Sequence, residues 1–195
     1  MSAHTQQMFC VLVTLALGCS ASAQTPAQSA MPPIDGTVRL QYLAVENLAP
    51  AELLENVAIG AVDTWANTPK EYGPHWIGFA KRTGMVTANY GVKSVMEVGL
   101  GSIWGEDPRY DRTEGLRFGG RLAHVIRMTF LARDRTGKTM PAYSRYIAIP
   151  GSSFLSNEWL PNSQATVNEA VVRTGLGFLS RMGENAWKEF IVKRK

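Results

Sequence analysis

The chain has 195 residues, 45% of them hydrophobic and 18% charged, and a formal net charge of +4. That length suits one domain with an apolar core. Both cysteines, Cys10 and Cys19, fall in the first 23 residues, so a chain cut after Ala23 has no disulfide, thiolate nucleophile or cysteine-held metal.

Residues 1–23, "MSAHTQQMFCVLVTLALGCSASA", run from a polar start through the apolar stretch Met8–Leu17 to the small-x-small pattern Ala21-Ser22-Ala23. This reads as a secretory signal peptide cut before Gln24. In the alternative reading, "LALGC" is a lipoprotein signal and Cys19 is the lipidation site, which would tether the mature chain to a membrane by acyl burial. Residues 24–36, rich in Pro, Ala and Gln, read as a flexible spacer, and residues 37–195 as one helical domain.

"TVRLQYLAVENL" mixes strand-like alternation with helical spacing and is read as a short helix. Pro50 opens the next, in which Leu53, Leu54, Val57, Ala58, Ala61, Val62 and Trp65 share a face. "TPKEYGPHW" is a corner broken by two prolines and a glycine. From Trp76 to Trp104 the pattern is helical throughout, with Gly84, Thr87, Gly91, Ser94, Gly101 and Gly105 on a seven-residue repeat interrupted by Val98. This predicts a small-residue seam along which a second backbone packs closely.

Gly115, Gly119 and Ala123 repeat the device in the following segment, and Gly175, Gly183 and Ala186 do so in a late helix from Ala165 to about Lys193. Between them, residues 125–149 read either as helix or as a hairpin turning at Thr136-Gly137. The expected fold is therefore mainly α, a single-domain bundle of about five or six helices with Gly/Ala/Ser seams. A membrane span needs about 20 mostly apolar residues. None is expected, because Lys93 and Glu97 interrupt the most apolar helix and the uncharged run between Arg145 and Glu158 contains Pro150.

Charge is uneven. Residues 1–75 hold six acids against two bases, whereas Arg109–Arg145 holds nine bases against three acids. A solvated basic face explains that run most simply, and attraction to anionic lipid or another envelope polyanion is the functional alternative.

Catalytic patterns are sparse. "DRTGKT" lacks the leading glycine of a phosphate loop, Ala132 standing in its place, and is read as a turn. His75 and His124 are far apart and lack metal-ligand spacing; no serine has the flanking glycines of a nucleophile elbow. Glu97, Glu106 and Asp107 are candidates for general acid and base roles on a glycan bond, in a hydrolase using Glu97 or Glu106, although Arg109 and Arg112 stand close enough to neutralise them. A soluble periplasmic binding module using Tyr72, Trp76 and Phe79 is a further reading. No cofactor or metal is expected, nucleic acid is not an expected partner of an exported chain, and the ligand is left open. An envelope membrane surface or self-association are the expected partners.

"WGEDPRYDR" reads best as a structural clasp made of Trp104, Glu106, Asp107, Pro108, Arg109, Tyr110, Asp111 and Arg112. Gly105 ends the long helix, Pro108 keeps Asp107 out of helical geometry, and Asp111 with Glu114 has capping-box spacing for the next helix.

In order, "NTPKEYGPHWIGFAKRTG", "EDPRY", "SNEWLP" and "ENAWKEF" resemble the landmarks of a family of exported, mostly helical bacterial envelope proteins with no assigned reaction. The resemblance spans about Asn47 to Phe190. The chain departs from the pattern at Asp111, where an aromatic is expected, at Leu160, where a tyrosine is expected, and after "EF", where a tryptophan and an acid are expected. The resemblance implies export, a helical fold and a structural or interaction role in the envelope, and transfers no catalytic residue.

Overall fold

The computed structural model describes residues 34–48, 50–113 and 116–191, with the side chains of residues 46, 50 and 51 excepted. The signal peptide, its Cys19 alternative and most of the spacer lie outside these residues. The last spacer residues belong to the body instead: Ile34 is buried, and the Asp35 carboxylate accepts Val38 N–H at 2.8 Å, capping the first helix.

That helix, α1, covers Gly36–Leu48, and α2 covers Pro50–Trp65. Asn67 ends the second run in left-handed geometry at φ 50°, with Thr68 N–H bonded back to Asp63 O at 2.9 Å. A 3-10 turn, Lys70–Tyr72, leads into the long helix α3, Trp76–Trp104. Gly105 ends α3 at φ 74°, its N–H reaching Gly101 O.

A two-residue strand β1, Glu106–Asp107, and an extended segment follow, then α4, Phe118–Phe130. The ambiguous stretch after Val125 is both helix and hairpin. Strands β2, Leu131–Asp134, and β3, Thr139–Pro141, turn at Gly137 (φ 81°), and α5 then covers Tyr143–Leu155. The sheet order is β1-β2-β3, antiparallel, with Glu106 opposite Asp134 and Ala132 opposite Met140. The last helix, α6, covers Val167–Phe190, and its N-terminal amide at Glu169 is capped by Thr166 Oγ1 at 3.2 Å.

Among the described residues the architecture is mainly α, six helices with one small sheet. α3 is central and packs on α1, α2 and α5, while α6 packs on α4 and α5. The apolar core is built from modest side chains, among them Val98, Val125, Met128, Ala148, Ile149 and Ala170, and no aromatic residue is among its fully buried members.

The predicted seam on α3 is only partly used. Gly84 faces open space, and a Cβ at Gly91 would meet only Asn47 Oδ1 at 3.8 Å, an ordinary contact. Thr87 bonds its own helix at Thr83 O; Ser94 is buried, and Gly101 lies under Arg39 and Glu106. Gly105 is a helix end rather than a packing position. Close approach occurs at glycines off the repeat: a Cβ on Gly151 of α5 would lie 2.7 Å from Met96 Cε, and one on Gly177 of α6 would lie 2.7 Å from Ile149 Cγ2. Periodicity finds small residues, but only the neighbours decide which of them are crowded.

Candidate functional site

Those close approaches bring α3, α5 and α6 together around a carboxylate. Glu97 Oε1 lies 3.2 Å from Arg145 Nε and 3.0 Å from Arg181 Nη2, and the acid is only 4% exposed. Both guanidinium groups are buried as well. Arg145 also donates to Met128 O and Thr129 O at 2.9 Å each, satisfying carbonyls at the end of α4. Arg181 donates to Pro108 O at 2.9 Å and to Glu184 at 3.1 Å.

Burial alone would raise the pKa of Glu97, but Arg181 and then Arg145 outweigh it and hold the group below the ordinary carboxylate range. The neighbouring Glu184 behaves likewise: burial opposes ionisation, Lys93 and Arg181 outweigh burial, and the carboxyl sits at about 2. An acid catalyst on a glycosidic bond needs the opposite shift and access to substrate. Glu97 has neither.

Glu106 is 2% exposed and serves the fold from a distance. Its two oxygens accept Ser144 N–H at 3.0 and 3.2 Å, and Ser144 Oγ also donates to it. Ala142 at the N-cap of α5 has no capping side chain, so a carboxylate from β1 supplies the negative end that the helix N-terminus favours. Arg39 of α1 closes the same region from below, donating to Glu106 O at 2.7 Å.

The remaining clasp residues reach outward from one extended segment. Asp107 pairs with Arg109 at 2.6 Å, Asp111 pairs with Arg133 of β2, and Tyr42 Oη donates to Pro108 O at 3.4 Å. Glu189 near the end of α6 gathers Tyr110 Oη at 3.1 Å, Thr113 N–H at 3.3 Å and Arg121 Nε at 2.9 Å. Arg112 donates to Glu189 O at 3.3 Å. Burial, then the charge of Glu189, pushes the Tyr110 phenol well up. Trp104 stays partly exposed with its ring 6.1 Å from Tyr143.

The capping-box expectation is corrected: α4 starts at Phe118, too late for Asp111, whose carboxylate is taken by Arg133, and Glu114 lies outside the described residues. Within the basic run Arg109, Arg121, Arg133 and Arg145 are ion-paired, Arg145 in the interior and Arg133 with its side chain 38% exposed, and the exposed bases are Arg117, Arg127, Arg135 and Lys138.

Two polar features were not singled out from the sequence. Arg82 is 2% exposed and donates to Thr68 O, Gly73 O and Pro69 O at 2.7 Å each, and to Asn67 Oδ1 at 3.2 Å. It holds the corner after α2. Its place in "GFAKRTG", seven residues after Pro-His, is a signal only once the corner is known to fold back. Glu189 was missed for the same reason, its partners being 68 to 79 residues away.

The other candidates take ordinary places. "DRTGKT" is the hairpin tip, with Asp134 Oδ1 accepting Thr136 N–H at 2.8 Å and Lys138 N–H at 2.9 Å. His124 Nε2 meets Asp111 O at 2.7 Å, and His75 is the N-cap residue of α3. Among the described residues no group of three His, Cys, Asp or Glu is placed to hold a metal ion. Trp76 pairs with Phe79 at 5.1 Å, while Lys81 and Arg82 lie over the Tyr72 ring, so the three aromatics do not close a cage.

The exterior inverts the usual arrangement. Every fourth residue forms an exposed apolar stripe on α2 (Leu53, Val57, Ala61, Trp65) and on α6 (Val167, Val171, Gly175, Leu179). Trp65 is 81% exposed. Among the described residues, no exposed side chain of α1, α2, α5 or α6 carries a charge, whereas the buried set includes Arg39, Arg82, Glu97, Arg145, Arg181 and Glu189. Buried charge is normally rare and continuous exposed apolar surface marks an interaction face. No described helix is long and apolar enough to cross a membrane. No protein-family model matches the chain, and no curated protein or solved structure does so either.

Proposed function

We propose that the protein is exported and works in the cell envelope, in the periplasm or outer envelope, as a helical structural or interaction protein whose exposed apolar faces are covered by a membrane surface or by copies of itself. One observation carries this reading: four helices expose uncharged apolar faces while Arg39, Arg82, Glu97, Arg145, Arg181 and Glu189 are buried. A protein that works fully surrounded by water gains from the opposite distribution, since each exposed apolar face leaves burial free energy of about 25 cal/mol per Å² unused. Export is supported by the leader pattern of residues 1–23 and by the ordered landmarks described above.

The charge junction supports a structural role. Its central acid, Glu97, is held by two arginines and closed to solvent, so it stiffens the contact of α3, α5 and α6 without offering a reactive group. Fractionation of the native host tests the reading: the protein is expected with envelope membranes at low salt. Recovery wholly in the soluble fraction as a monomer would overturn it.

A further inference from the structure

The helix α4 differs from α1, α2, α5 and α6 in one respect. Its exposed face carries the apolar stripe Phe118, Leu122, Ile126 and Phe130, and its exposed charges are arginines, Arg117 and Arg127. Phe118 is 70% exposed. The inner face is occupied by Val125, Met128 and Thr129, all buried, so the stripe is not turned toward the core. Ring contacts extend the face onto α6, with Phe118 5.2 Å from Phe190 and Phe130 5.7 Å from Phe178.

Among the described residues from Leu116 to Leu155, every exposed charge is basic: Arg117 at the N-cap of α4, Arg127 within it, and Arg135 and Lys138 on the adjoining hairpin. No acidic side chain among the described residues pairs with Arg117 or Arg127. A second copy is a poor occupant, because a two-fold contact would set arginines of one copy against those of the other. A helix of 13 residues is about 20 Å long, too short for a hydrocarbon layer of about 30 Å. It suits the plane of a headgroup layer, apolar side chains inward and arginine stems extended to the phosphates.

We propose that the outer face of α4 seats on an anionic bilayer surface, its Phe118–Leu122–Ile126–Phe130 stripe entering the acyl boundary and Arg117 and Arg127 pairing with lipid phosphates. This rests on the envelope reading above and adds the element that makes the contact and the charge of the lipid. The purified protein is mixed with vesicles of phosphatidylcholine alone, or of equal parts phosphatidylcholine and phosphatidylglycerol, and sedimented at rising salt. Binding is expected on the anionic vesicles, at least about tenfold weaker on the neutral ones, and weakened by salt, since each basic group contributes roughly a fivefold change.

The double variant Arg117→Glu with Arg127→Glu is expected to lose at least about tenfold in partition with an unchanged thermal melt, while Arg117→Lys with Arg127→Lys keeps it. Equal binding to both vesicle types, or an unaffected double-Glu variant, overturns the assignment to α4 and leaves the envelope reading standing. Absence of vesicle binding by a protein also found wholly soluble in its host overturns both. A parent dimer that the double-Glu variant alters, without any vesicle binding, shows instead a contact between copies and overturns the lipid assignment.

Discussion

Arg82 and Arg181 are both buried arginines, and they are neutralised in different ways. Among the described residues no carboxylate lies at hydrogen-bonding distance of Arg82; three carbonyls and one amide oxygen of the corner between α2 and α3 receive its donors. Arg181 shares Glu97 with Arg145, three charges from three helices at one point. The two sites are separated by the fifteen residues from Arg82 to Glu97, about 22 Å along α3. The corner offers free carbonyls to every nitrogen of one guanidinium, whereas at the junction two guanidinium groups find only Met128 O, Thr129 O and Pro108 O, most carbonyls of the helix middles being spent within the helices. There a side-chain acid has to balance the charge.

Removing that acid gives the largest expected effect. Glu97→Gln leaves buried Arg145 without its acid and Arg181 with Glu184 alone, and a loss of about 3–5 kcal/mol is expected in urea unfolding. A loss below about 1 kcal/mol would mean that water reaches the junction. Acid acts on the same groups. Glu97 and Glu184 have folded pKa values held below the unfolded value of about 4.3, so their contribution is present above that pH. It is lost as pH falls through the folded values, for Glu184 at about 2. The melting temperature should drop steeply across that window in the parent and less in Glu97→Gln.

The Arg82 corner should be smaller in effect and indifferent to acid. Arg82→Lys keeps the charge but cannot fork to four acceptors, and a loss of about 1.5–3 kcal/mol is expected, with the same slope against pH as the parent. A changed acid slope would link the corner to the carboxylates and break the contrast.

Glycine variants sharpen it at lower cost. Gly177→Val on α6 presses on Ile149 beside the junction and should destabilise by about 1–3 kcal/mol. Gly84→Ala, facing open space near the corner, should raise stability by about 0.4–1 kcal/mol. Equal melting shifts in the two variants would show that the small residues on α3 are crowded after all.

Much of the backbone was readable in advance. α3 runs from Trp76 to Trp104 because its apolar and small positions keep a helical period until Gly105, which alone can take φ 74° cheaply. α6 was anticipated within about three residues at either end. The hairpin was undecided because Leu131–Asp134 and Thr139–Pro141 are too short to declare themselves. They are strands through pairing with each other and with Glu106–Asp107.

The candidate site was less readable. Glu97 looked like a charge interrupting an apolar helix, and its partners Arg145 and Arg181 stand 48 and 84 residues further on. Of the clasp, Asp107 with Arg109 was visible from adjacency. Asp111 with Arg133, and Tyr110 with Glu189, needed the chain to turn back.

The sequence by itself determined the bounds of α2 and α3 and nearly those of α6, because hydrophobic period, prolines and a left-handed glycine act within a few residues. It also determined that no described helix is apolar enough to span a bilayer. Tertiary structure decided which charges are interior and which apolar residues are not. A period of 3.6 marks two faces of a helix without saying which of them meets the core, and here the faces bearing Arg39, Arg82, Arg145 and Arg181 turned inward while Arg117 and Arg127 stayed outside.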